Sequence, residues 1–108
     1  MFTTTSLSAA LAVDESTIKN WVGLGRLGRK EGRQRVFDHG DAFAIGLLAA
    51  LLKAGVPVNY SAIESAKILA ASTDRPATVR IRGSDVASVD IDLVAAAKDI
   101  NRKLGITE

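Results

Sequence analysis

Cysteine is absent from the 108 residues of this chain, which excludes structural disulfides, thiolate zinc sites, iron–sulfur clusters and thiol-based sensing, and suits a reducing compartment. Histidine occurs once, as His39. A lone imidazole in a loop between Asp38 and Asp41 reads as a loop or capping residue, not as a metal ligand or a catalytic base. The longest apolar run, Ala42 to Leu52, falls far short of the roughly 20 residues a bilayer span needs, so no membrane span is expected. The opening residues MFTTTS carry neither the basic start nor the apolar stretch of a secretory leader, and a cytoplasmic location follows as an expectation. Catalytic constellations are missing as well. GLGRLG lies in a basic turn, without the preceding strand and following helix of a dinucleotide-binding loop. No nucleophile stands in a recognisable spacing from His39, and Asp90 and Asp92 alternate on the solvent side of an expected strand. The expectation is a protein that is not an enzyme and takes no cofactor or metal.

What is present is charge with a particular distribution. The net charge is only +2. Between Ser16 and Val36, however, six basic residues (Lys19, Arg26, Arg29, Lys30, Arg33, Arg35) stand against the single acid Glu31. From Phe37 onward eight basic residues meet nine acids. A local cationic patch on a nearly neutral body is the footprint of a polyanion-binding surface.

The residues around that patch have a readable local order. Ser6 is placed to cap a first helix carrying Leu7, Ala10 and Leu11, and Ala12 and Val13 make a turn. Asp14 stands where the next helix wants an N-cap, with Val13 as its staple. Ile18, Trp21 and Val22 then form an inward stripe, and Ser16, Lys19, Asn20 and Gly23 an outward one free of acid. Glycines at 23 and 25 end the helix, and Gly28 and Gly32 supply the freedom of a tight hairpin reaching Phe37. Two short helices followed by a basic hairpin have the sequence shape of a winged helix-turn-helix. In that arrangement the second helix enters the major groove by its N-terminal part, so Ser16, Thr17, Lys19 and Asn20 come nearest the base edges. Arg29, Lys30, Arg33 and Arg35, on the hairpin, are candidates for phosphate contacts. Period-two alternation puts Arg33, Arg35 and Phe37 on one side and Gln34 and Val36 on the other, which gives no clean division into core and surface.

The order TIKNW, GLGRLGR and GRQRVFDHGDAFAIGLLAALLKAGVPV resembles the DNA-binding domain of the MerR family of bacterial transcription regulators over roughly residues 6 to 70. The family's Thr-Ile-Arg-Tyr-Tyr stretch falls on Thr17, Ile18, Lys19, Asn20 and Trp21. Its Gly-Tyr-Arg-x-Tyr wing falls on residues 33 to 37, with Arg33 and Gln34 in place of Gly-Tyr, and its helix-opening Asp on Asp41. The resemblance implies DNA contacts for Thr17, Lys19 and Arg35 and packing or backbone-facing roles for Trp21 and Phe37.

A helix from Asp41 to Gly55, capped by Asp38 or Asp41, is apolar around nearly its whole circumference and so must be buried on more than one side. Ser61 and Glu64 suggest a capping box for another helix through Ala71, ended by Arg75 and Pro76. Beyond this point the family continues with a long pairing helix, whereas this chain gives ATVRIRG and SVDID, alternating strands with Val79 and Ile81 facing Val89 and Ile91 across a turn at Gly83, Ser84 and Asp85. Asp92 then caps a last helix with Val94, Ala97, Ile100 and Leu104 on one face, ended by Gly105. That strand–strand–helix unit either covers the helix from Asp41 to Gly55 or builds a homodimer.

The expected fold is therefore mainly α with small β (α+β), a winged helix-turn-helix over residues 1–72 with a C-terminal hairpin and helix over 73–108. The expected function is sequence-specific binding of double-stranded DNA as a bacterial or phage transcription regulator, forming a homo-oligomer and with no small-molecule effector evident. Two other readings stay open: an excisionase-like architectural factor or phage DNA-packaging recognition subunit, and a protein-interaction module that binds no DNA.

Overall fold

The computed structural model describes residues 2–56, 58–72, 78–82 and 88–105. Along the chain run β1 (Phe2–Thr3), α1 (Thr4–Leu11), α2 (Glu15–Gly25), β2 (Arg29–Glu31), β3 (Gln34–Phe37), α3 (His39–Lys53), α4 (Tyr60–Ala71), β4 (Thr78–Arg82), β5 (Ser88–Asp92) and α5 (Leu93–Leu104). The protein is mainly helical, with a three-stranded antiparallel sheet in the order β1–β3–β2 and a two-stranded antiparallel pair, β4–β5. This is an α+β arrangement.

The helix starts show which local signals dominate. Sequence reading placed Ser6 as the cap of α1, but Thr3 takes that position. Thr3 is held extended by pairing with Val36 of β3. Its Oγ1 accepts the Ser6 amide at 3.1 Å while Ser6 Oγ accepts the Thr3 amide at 2.8 Å, a reciprocal capping box that satisfies two helix-start donors. Asp14 does precede α2, yet its carboxylate makes no capping bond. The expected box of Ser61 and Glu64 does not open α4 either. Asn59 Oδ1, two residues earlier, accepts the Ala62 amide at 2.8 Å, which leaves Ser61 inside the helix. For α3 the cap is Asp38, whose Oδ1 accepts the Asp41 amide at 2.8 Å, and the helix stops at Lys53 rather than Gly55. Asp92 caps α5 as expected, accepting the Val94 and Ala95 amides, and Gly105 closes the helix at φ 73°.

α3 forms the centre. Phe43, Ile45, Leu47, Leu48 and Leu51 are all buried, and each large apolar side chain of this kind contributes about 1.5–3 kcal/mol when taken from water. α4 lies along one side of α3 and α5 along another, with α1 and β3 closing the remainder. A Cβ at Gly46 would stand 2.7 Å from Ile100 Cγ2, so this glycine sets the close approach of α3 and α5. The second covering layer for α3 thus comes from α5 of the same chain. On α5 the buried residues are Leu93, Ile100 and Leu104, and Val94, expected on that face, is 53% exposed. The β4–β5 register sets Val79 opposite Ile91 and Ile81 opposite Val89. The turn read at Gly83, Ser84 and Asp85 and the helix end read at Arg75 and Pro76 lie outside the described residues. No helix among the described residues is long and apolar enough to cross a membrane.

Candidate nucleic-acid interface

α2 separates its two sides cleanly. Ile18, Trp21 and Val22 are buried, Ser16, Lys19, Asn20 and Gly23 are exposed, and Thr17 is half-buried between them. Its orientation is fixed at both ends. At the start, a left-handed Ala12 (φ 55°) turns α1 into α2, the Ser8 hydroxyl donates to the Val13 carbonyl at 2.6 Å, and the Thr5 hydroxyl donates to Glu15 Oε1 at 3.0 Å. At the end, Lys67 Nζ donates to the Gly25 carbonyl at 2.8 Å, satisfying one of the acceptors a helix terminus leaves open. A Cβ at Gly25 would meet Ile63 Cγ2 at 2.2 Å, so only glycine lets α2 seat on α4 there.

The β2–β3 hairpin turns on Gly32 and Arg33, with Gly32 at φ 63°, the first central position where a two-residue type II′ turn favours glycine. Its base is tied down by Gly28, whose amide donates to Asp41 Oδ2 at 3.0 Å. β3 resolves the alternation problem read in the sequence. Val36 and Phe37 are both buried: β3 is the central strand, with β1 on one edge and β2 on the other, and its Phe37 end packs into the core. The Arg33 side chain, at the turn, is exposed, and Arg35 is half-buried with Nη1 donating to the Leu27 carbonyl at 3.1 Å.

Between α2 and the hairpin lies a groove of about 530 Å³ lined by Lys19, Val22 and Gly23 of α2, Lys30, Arg33, Gln34 and Arg35 of the hairpin, and Thr3, Thr4 and Thr5. Four of the eight residues proposed from the sequence, Lys19, Lys30, Arg33 and Arg35, therefore share one concave surface. Ser16, Thr17 and Asn20 stand on α2 outside its lining, and Arg29 is drawn aside into an exposed pair with Glu31 at 3.1 Å. Pairing of that kind at the surface is worth little in stability. Glu31, the lone acid of the basic window, does not line the groove.

The electrostatics of the groove are one-sided. No carboxylate lines it. Lys19, Lys30 and Arg33 make no ion pair among the described residues. The hairpin register sets Lys30 directly opposite Arg35, a like-charged cross-strand pair that opposes folding unless an anion lies between or above the two. Among the described residues no group of His, Asp or Glu side chains is arranged to hold a metal ion.

Sequence reasoning missed the third wall, Thr3 to Thr5, because MFTTTS has neither apolar periodicity nor charge. The signal that marks it is Thr3 followed three residues later by Ser6, a helix start with a hydroxyl at each end of the capping box. Comparison of the chain with known proteins finds no family model, no curated protein and no solved structure that matches it.

Proposed function

We propose that this chain is a sequence-specific binder of double-stranded DNA, a bacterial or phage transcription regulator that works as a MerR-like winged helix-turn-helix. The observation that carries the reading is the groove in which Lys19 of α2 and Lys30, Arg33 and Arg35 of the hairpin converge with no carboxylate among them. A polyanion is the partner that relieves such a surface, and DNA offers a row of phosphates at the spacing of a helix and an adjacent ribbon.

In this reading α2 lies in the major groove, which is wide enough for one helix, and presents Ser16, Thr17, Lys19 and Asn20 to base edges. Asn20 is suited to adenine and Lys19 to guanine or a phosphate, while the hairpin cations grip the flanking backbone and set the register. Two copies bound to a symmetric site would give the half-site spacing of one helical turn that dimeric readers share.

Selection of bound duplexes from a random pool, in the presence of competitor DNA, tests this directly. The expected result is an enriched motif. Arg33→Ala, which removes an exposed guanidinium, weakens binding to selected and random duplexes alike, whereas Asn20→Ala relaxes preference at one position. Failure of the pool to enrich, or equal effects of both substitutions on every duplex, would contradict the reading. Bending of the selected duplex on binding would favour an architectural role over a repressor or activator.

A further inference from the structure

Three threonines line the cationic groove alongside the hairpin, and their hydroxyls are not equivalent. Thr3 Oγ1 is occupied by the Ser6 amide at 3.1 Å, and the Thr5 hydroxyl donates to Glu15 Oε1 at 3.0 Å. The Thr4 hydroxyl has no hydrogen-bond partner among the described residues, although Thr4 is half-buried and lines the same groove as Lys19, Lys30, Arg33 and Arg35. That hydroxyl is open to solvent and not a buried orphan, and beside Lys19, Lys30 and Arg33, which have no ion-pair partner among the described residues, and Arg35, which is hydrogen-bonded to the Leu27 carbonyl, it is free to donate to an anionic acceptor.

Resting on the DNA reading above, we propose that Thr4 is a phosphate-binding residue, its hydroxyl donating to a backbone phosphate oxygen of the strand that the groove cations hold. A phosphate is preferred over a base edge because the facing groups are ammonium and guanidinium, and formal negative charge on DNA resides on the backbone alone. The nearest acid by connection, Glu15, is engaged by Thr5 and does not line the groove. The strand β1 is what makes this possible. By pairing Thr3 with Val36 it brings the start of α1 alongside the hairpin, so that α1, α2 and the hairpin all face one duplex.

The contact has a signature that distinguishes it from the lysines. A neutral hydroxyl displaces no condensed counterion, so its loss lowers affinity without changing the salt dependence, whereas loss of a lysine that meets a phosphate lowers the slope by about 0.9. The test measures binding of fluorescently labelled 20-base-pair duplexes, of both random and selected sequence, across a salt series. Thr4→Val is expected to bind about tenfold more weakly to both duplexes, in line with the loss of one hydrogen bond to a charged group, with an unchanged slope. Thr4→Ser is expected to bind as the wild type does, and Thr4→Ala, which keeps a good helix former at the first helical position, to show the same loss as Thr4→Val. Wild-type affinity in both Thr4→Val and Thr4→Ala, or a changed salt slope in either, would overturn the assignment of Thr4. If Lys19→Ala still weakens binding in that case, the DNA reading survives without it. A wild-type protein with no salt-dependent duplex binding would remove both.

Discussion

The Gly28 amide donates to the Asp41 carboxylate at 3.0 Å, joining the base of the β2–β3 hairpin to the first turn of α3. Asp41 in turn gives its own amide to Asp38 Oδ1 at 2.8 Å, so one short chain of hydrogen bonds runs from the α3 cap to the hairpin. Removing the acceptor, as in Asp41→Ala, is expected to destabilise the protein by about 1.5–3 kcal/mol, the range for a hydrogen bond to a charged group. Gly28→Ala should cost more, about 2–4 kcal/mol, because Gly28 sits at φ 73° and an added Cβ would stand 2.7 Å from the Phe37 ring. Urea unfolding of the two variants checks both values. Wild-type stability in Gly28→Ala would show that this approach is not as tight as described.

A second prediction concerns the covering of α3. Gly46 and Ile100 occupy the same space, an added Cβ at Gly46 falling 2.7 Å from Ile100 Cγ2. Gly46→Ala is expected to destabilise despite the gain in helix propensity, and Ile100→Ala to cost about 2–5 kcal/mol as a cavity. Combined, the two should be less harmful than their sum, because the new methyl group occupies part of the void. Strict additivity in a double-mutant cycle would mean that α5 does not lie on α3 at this point.

The pH dependence of α5 supplies a third. Asp99 is held below the usual carboxylate value of 3.8, chiefly by its hydrogen bond to Lys103 at 2.9 Å and further by the charges of Lys103 and Arg102. A carboxyl depressed in the folded state binds its proton more readily when unfolded. Its stabilising contribution is therefore fully present above the ordinary carboxylate range and lost as pH falls through the lowered folded value. Asp99→Asn is expected to lower the thermal midpoint slightly at neutral pH and to converge on wild type at strongly acidic pH. A difference that grows on acidification would have the wrong sign for this ion pair.

These relationships explain which parts of the molecule were legible from composition and spacing. Ile18, Trp21 and Val22 on α2, and the apolar residues of α3, announce themselves because burial repeats with the helical period, and Gly32 because the hairpin turn needs its backbone. Helix starts were less legible. Asp14 does stand at the N-cap of α2, but Ser6 and Ser61 only look like caps; the cap is settled by which residue the preceding chain holds extended, and for α1 that depends on Thr3 pairing with Val36, more than thirty residues away. The same long-range pairing hides the groove wall at Thr4. Val94 was misread because a face drawn through Ala97, Ile100 and Leu104 admits either Leu93 or Val94 at its start, and only contact with α3 chooses between them. Convergence of Lys19 with Lys30, Arg33 and Arg35 was an expectation from adjacency alone, and their common groove is a property of how α2 and the hairpin are each anchored.

The measurement that bears most directly on the central claim is the salt dependence of duplex binding by the wild type and by Lys19→Ala, Lys30→Ala and the double variant. If Lys19, Lys30, Arg33 and Arg35 each meet a phosphate of one duplex, log affinity should fall with log salt at a slope of about 3 to 4. Each single substitution should lower that slope by about 0.9, and the double variant by about 1.8. A flat response in the wild type, or a slope that neither lysine alters, would contradict a helix and a hairpin acting together on the same DNA.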